Sequence, residues 1–201
     1  DTAGTPGQPG TQALQRAVWV ALGLLALALL SFAGTYVADR YLHSQERAPG
    51  ELEVDRLEEA VQHEPQDPQL RVALAETYLR EGRDAKALAQ AEQVLRRYPD
   101  DAGALLIAGI AQVRLARPRE ALVPLGSFVG LRQDEPMARM DTALEAAYYY
   151  LGESYVKLQR PADAIPFLEA ALLISPVDAD ALYQLGLALD AAGRPEDAVE
   201  G

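Results

Sequence analysis

The chain contains no cysteine, which excludes disulfide frameworks, thiolate zinc sites and cysteine nucleophiles. Histidine is almost as scarce. Only His43 and His63 occur, neither in an HExxH spacing nor in the company of a triad, so both read as solvated bystanders rather than ligands. No GxxxxGKS/T or GxGxxG phosphate loop is present. The acid pairs Asp100-Asp101 and Asp178 with Asp180 fall in turns between helical patterns, where aspartate is more often a helix cap than a general acid. No residue is left to carry catalysis, and the chain is expected to be no enzyme and to need neither cofactor nor metal. Positive charge is also short: 18 Lys and Arg stand against 30 Asp and Glu, a net charge of -12 over 201 residues. A surface of that sign is a poor partner for nucleic acid, because phosphate contacts need clustered cations.

Residues 17–38, from Ala17 to Ala38, hold no charged residue, with Arg16 before them and Asp39 and Arg40 after. As a helix this stretch spans about 33 Å at roughly 1.5 Å per residue, which matches about 30 Å of hydrocarbon. Trp19, Tyr36 and Arg40 sit where interfacial anchors belong, and six leucines with Val18, Val20, Phe32 and Val37 favour insertion. The competing reading is a cleaved signal peptide ending at Ser31-Phe32-Ala33, but apolar character continues through Val37. A retained single-pass anchor is therefore expected, with the lipid bilayer as one partner. Ala17, Ala21, Ala26 and Ala28 would let another transmembrane helix approach, although no GxxxG supports such pairing. Arginine is counted once before the span and at Arg40, Arg47 and Arg56 after it, which nominally favours a cytoplasmic body. Acids interleave these arginines, and the expectation leans toward the body lying outside the cytoplasm, as is common behind a short N-terminal tail.

Residues 1–16 are expected to form a flexible tail, being rich in Gly, Pro and Thr at their head. Residues 39–67 read as a juxtamembrane linker that breaks at Pro49-Gly50 and resumes as a helix near Glu51. The chain lacks an initial methionine and stops inside a repeating pattern, as expected of a fragment of a longer or processed protein.

That pattern is most complete between Glu145 and Asp178. Gly152 has counterparts at Ala75, Gly109 and Gly186, and Ala164 at Ala87, Ala121 and Ala198, so two small-residue slots keep one register. Small residues there allow two helices to approach closely, with Leu151, Leu168 and Ala171 filling the contact. Between the slots lie Arg83, Arg117, Arg160 and Arg194, followed in three copies by proline (Pro118, Pro161, Pro195) and then an acid (Glu120, Asp163, Glu196). Proline at a first helical position with an acid in the first turn marks a helix start. Pro99 and Pro176 close the second helices of their copies. Leu57, Ala60 and Pro65 repeat the spacing of Leu168, Ala171 and Pro176, so a half-repeat is expected to cap the array.

On these residues the chain resembles the tetratricopeptide-repeat family, from Pro68 to the C-terminus. The resemblance implies an α-solenoid of helix-turn-helix repeats at 68–101, 102–144, 145–178 and a truncated 179–201, so that with the single N-terminal transmembrane helix read above the chain is expected to be all-α. The excess length of the second repeat falls around Leu131 to Thr142, with its proline displaced to Pro136. It reads as a lengthened helix or loop, either a docking element or a tolerated surface insertion.

In this family the inner face of the first helices uses the residues three before, one after and four after the small slot. Carried over, the resemblance implies a binding groove of Val72, Glu76 and Leu79; Leu106, Ile110 and Val113; Tyr149, Glu153 and Val156; Tyr183, Leu187 and Asp190. Relatives that grip C-terminal carboxylates need Lys and Asn where Val72 and Glu76 stand, so that activity is not expected. An apolar or mildly basic segment anchored on Tyr149 and Tyr183 suits this lining. The expected function is a membrane-anchored scaffold or adaptor that binds a protein or peptide client for assembly or recruitment. The alternatives are a structural subunit of a stable membrane complex and an apocytochrome-type assembly chaperone.

Overall fold

The structure is a computed structural model that describes residues 10–42 and 49–194. Every regular element among them is helical, and the chain divides into two compact units, residues 1–48 and 49–201. His43, Arg47, Pro195, Glu196 and Ala198 lie outside the described residues.

The first unit contains α1 (Gly10–Leu42), whose segment Gln15–Val37 is long and apolar enough to cross a membrane by length and composition. Trp19 and Tyr36 are exposed on it, and Arg40 falls within its last turns. The helix begins at Gly10, so residues 10–16 of the expected tail are helical. The residues Gln12 to Arg16 are good helix formers, and propagation from the apolar segment costs little once that segment is nucleated.

The second unit opens with α2 (Pro49–His63), in which Pro49 occupies the first helical position. Pro49-Gly50 is thus a helix start rather than the expected break, since proline lacks only an N–H that has no partner in the first turn anyway. Val54, Leu57 and Val61 recur at helical spacing and pack into the core, so α2 covers the flank of the next helix as a cap must. Tyr78 donates to Glu58, and Lys86 lies 5.0 Å over the Tyr78 ring while its Nζ reaches Glu58 at 3.5 Å. The bond from Tyr78 holds the Glu58 carboxyl below its ordinary value, and burial followed by that same bond pushes the Tyr78 phenol up to about 12.

Three helical hairpins follow: α3 (Pro68–Arg80) with α4 (Asp84–Leu95), α5 (Ala102–Arg114) with α6 (Pro118–Arg132), and α7 (Thr142–Lys157) with α8 (Pro161–Ile174). A last first-type helix, α9 (Ala179–Ala191), ends the described array. Each first helix starts on an aspartate. Asp67, Asp101, Asp141 and Asp178 cap α3, α5, α7 and α9 by accepting backbone N–H bonds at 2.8, 2.8, 2.9 and 2.8 Å. Such caps contribute about 1 kcal/mol each. The acid pairs of the inter-repeat turns therefore supply caps through Asp101 and Asp178.

Each first helix also ends alike. The N–H groups of Arg83, Arg117, Arg160 and Arg194 reach back to the carbonyls of Tyr78, Gln112, Tyr155 and Leu189 at 2.8–2.9 Å, and the preceding residue adopts positive φ. This is the Schellman stop, in which a left-handed residue satisfies the orphan carbonyls. Gly82 and Gly193 suit it, but Ala116 and Gln159 adopt φ of 58° without being glycine. The recurrent arginine then turns the chain into the second helix, directly before Pro118 and Pro161 in two hairpins. Its side chain serves no uniform purpose: Arg160 binds Asp163 at 2.7 Å and covers the Tyr155 ring, whereas Arg83 lies 3.9 Å from Glu51.

Ala75, Ala87, Ala121 and Ala164 are completely buried at the repeated slots. A β-carbon built on Gly109 or Gly152 would lie 2.4 or 2.5 Å from Cγ of Leu125 or Leu168, so the paired helices meet there at a distance only glycine permits. The insertion resolves into three parts: α6 runs on to Arg132, a nine-residue link carries a 3-10 turn at Ala138–Met140, and α7 begins at Thr142, one turn before the expected Glu145. Arg132 fastens it by donating Nε and Nη2 to Asp141 Oδ2 at 3.1 and 2.8 Å.

Candidate protein-binding groove

Successive first helices touch one another, α3 with α5, α5 with α7 and α7 with α9, while the second helices contact chiefly the first helices on either side. The first helices therefore form the inner wall of this unit. Their contact is close at the start, where a β-carbon on Gly103 would come within 2.9 Å of Val72 Cγ1. Arg114 ties the wall together, donating to the terminal carbonyl of Leu79 at 2.9 Å, standing 3.6 Å from Asp84 and reaching Tyr150 at 3.5 Å.

The twelve inner-face residues differ in what the wall does with them. Leu79, Ile110 and Val113 are only 9, 8 and 1% exposed. They serve the packing of one repeat on the next and offer nothing to a ligand. Val72 and Leu106 are half-buried against the same core, and Glu76 is exposed. Exposure rises toward the last described helix. Tyr149, Glu153 and Val156 on α7 are half-buried, and on α9 Tyr183 is 65% and Leu187 42% exposed, with Asp190 exposed beside them.

Carboxylates gather on the same helices, Glu145 and Glu153 on α7 and Asp180 and Asp190 on α9. Burial pushes the Tyr149 phenol up to about 12, helped by Glu153 and Asp180. Burial also raises the Glu145 carboxyl, helped by the negative charge of Asp178. Lys157 meets Glu153 at 2.9 Å, and neither α7 nor α9 carries another cation. Tyr149 meets Tyr150 edge to face with ring centroids 5.1 Å apart. The inner wall is thus closed at Leu79, Ile110 and Val113, half-buried at Val72, Leu106, Tyr149, Glu153 and Val156, and carries tyrosine, leucine and carboxylate on its last described helices. Away from the wall, the insertion's turn with Leu144, Tyr148 and Leu173 borders a cavity of about 120 Å³. No cluster of histidine and carboxylate that could hold a metal occurs among the described residues, and His63 is exposed at the end of α2.

Residues 54–110 match one family model of the tetratricopeptide repeat, and residues 149–200 match a second. The chain belongs to the tetratricopeptide-repeat family. Among solved structures, MamA residues 41 to end from Desulfovibrio magneticus RS-1 is similar, with a TM-score of 0.65 and 22% identity over 83% of this chain and 87% of that one. A crystal structure of MamA protein gives 0.64 and 21% over 83% and 86%, and MamA AMB-1 in space group C2221 gives 0.63 and 18% over 83% and 92%. At these identities the likeness shows the repeat fold. No curated protein matches the sequence. As tetratricopeptide repeats, the hairpins place the chain among scaffolds for protein–protein interaction.

Proposed function

We propose that the chain is a membrane-tethered scaffold whose inner wall holds a segment of a client protein, for recruitment or assembly at the bilayer. The observation that carries this reading is the half-buried inner face that the stacked first helices leave between repeats, with Tyr149, Glu153 and Val156 on α7 following Leu106 on α5 and Val72 on α3. Tyrosine on a rigid helix is inexpensive to order on binding, which makes Tyr149, and Tyr183 at the same position of the next repeat, efficient anchors. Val72, Glu76, Leu106 and Val156 extend the surface along the wall. The apolar segment of α1, with Trp19, Tyr36 and Arg40 near its ends, supplies the tether, and the array lies outside the cytoplasm in this reading.

The test uses the full chain in mild detergent. Proteins that co-purify are compared between the wild type and Tyr149→Ala/Tyr183→Ala, with helicity checked by circular dichroism. The client should fall at least about tenfold in a variant that stays folded, as expected when two anchors are truncated. A folded variant that retains its client at the wild-type level contradicts the proposal.

A further inference from the structure

We infer that the insertion between α6 and α7, together with the exposed side of α8, is a self-complementary surface on which two copies of the chain pair about a two-fold axis. The link of the insertion reaches α8, and its Ala138 and Arg139 line the cavity of about 120 Å³ with Leu144, Tyr148 and Leu173. The chain's two methionines, Met137 and Met140, bracket those link residues without lining the cavity. They are 66 and 75% exposed, and Leu173 is 71% exposed. Described helices precede and follow this patch. The positions equivalent to Leu173 in the first two hairpins, Arg96 and Gly130, are exposed although a further hairpin follows each, so this exposure belongs to the position and not to the end of the array. What differs is the side chain, a leucine beside two methionines where the earlier hairpins carry arginine and glycine.

Charge of both signs stands on the patch without a partner. Arg132 holds Asp141 at 2.8 Å and Glu135 at 3.4 Å, whereas Asp134 and Arg139, exposed on the same link, have no ion pair among the described residues. Asp134 lies near the cavity, since its carboxylate adds to burial in raising the Tyr148 phenol. Glu169, one turn before Leu173 on α8, is a second exposed acid. An occupant of one sign would satisfy one kind of group and repel the other. A second copy turned by a two-fold brings Arg139 of each chain to the acids of the other, because an isologous contact makes every pair twice. The same rotation offers a methionine to each cavity, and methionine adapts to irregular gaps. Met137, Met140 and Leu173 then leave water together.

The experiment follows the full chain in mild detergent by sedimentation velocity over rising concentration, with circular dichroism as the check on folding. The chain should form a dimer that Met140→Lys weakens at least about tenfold. Asp134→Arg and Arg139→Asp should each weaken it, and Asp134→Arg/Arg139→Asp should recover most of the loss. In membranes, differently tagged Met140→Cys and Leu173→Cys chains should form a disulfide with each other, since no native cysteine competes, and Val123→Cys with Leu173→Cys should not. A monomer at every concentration, a dimer that these folded variants leave unchanged, a double variant no better than the single ones, or equal disulfide yield from both pairs overturns the inference. A dimer lost instead in Tyr149→Ala/Tyr183→Ala would place the contact on the inner wall and also overturn it. So would a monomer whose client is lost in Met140→Lys, which would give the patch to that client.

Discussion

A leucine branch point fills the space above Gly109 and again above Gly152, so those glycines are fixed by their partners rather than by backbone conformation. The first repeat solves the same problem differently, with Ala75 and Ala91, both completely buried, where Gly152 and Leu168 stand in the third. Gly152→Ala should therefore destabilise by about 1–3 kcal/mol through overpacking, despite its better helix propensity. Leu168→Ala should cost about 2–5 kcal/mol through the cavity it leaves. The double variant recreates the first repeat's pairing, and urea titration should show it losing clearly less than the sum. Strict additivity would mean that the two residues do not share one contact. At the helix stops, Gln159 holds a positive φ that costs a non-glycine residue about 1–2 kcal/mol. Gln159→Gly should raise stability by about 0.5–1 kcal/mol, the part of that strain left after glycine's greater unfolded entropy. Gly82→Ala should lower stability by a similar amount.

The insertion between α6 and α7 hangs on the bonds from Arg132 to Asp141. Burial alone would raise the Asp141 carboxyl, but the guanidinium and the N–H groups of Ala143 and Leu144 outweigh it and hold it below the ordinary 3.8. The carboxylate thus contributes stability that is complete above 3.8 and is lost as the pH falls through its lower folded value. Asp141→Asn keeps a capable cap and removes the charge, so it should cost about 1 kcal/mol at neutral pH. Melting curves should show that gap closing on acidification below the ordinary carboxylate range. In α8, Pro166 sits exposed inside the helix, where it forfeits a backbone bond. Pro166→Ala should stabilise by about 1–3 kcal/mol. These helices also show what could be read in advance. The spacing of Gly109, Gly152 and the alanine slots announced the close helix pairs, and Pro118 and Pro161 announced the helix starts. The left-handed stops at Ala116 and Gln159 could not be read, because neither residue is a glycine. The extra turn of α7 was equally hidden: its cap at Asp141 lies three residues ahead of the register set by Asp67, Asp101 and Asp178.

At the scale of the whole molecule, the inner-face rule gave the direction of each side chain but not its cover. Leu79, Ile110 and Val113 point along the wall as expected and are buried there, because neighbouring repeats close over them. Among the described inner-face residues Tyr183 and Leu187 are exposed on α9, which no further described first helix follows, so cover is set by the neighbouring repeat, which spacing within one repeat does not encode. The two units also predict separable behaviour. A chain starting at Pro49 retains the buried core of the second unit, so it should keep its helical circular dichroism and a cooperative melt. Only the full chain should remain with membranes after alkaline carbonate extraction. The central claim, a client held on the inner wall of a tethered array, is tested most directly by site-specific photocrosslinking in native membranes. A photoreactive amino acid replaces Tyr183 on the inner wall or, as control, the exposed Val123 on α6. The account predicts a discrete crosslinked client from position 183 and none from position 123. Crosslinks of equal yield from both positions, or from neither, would contradict it.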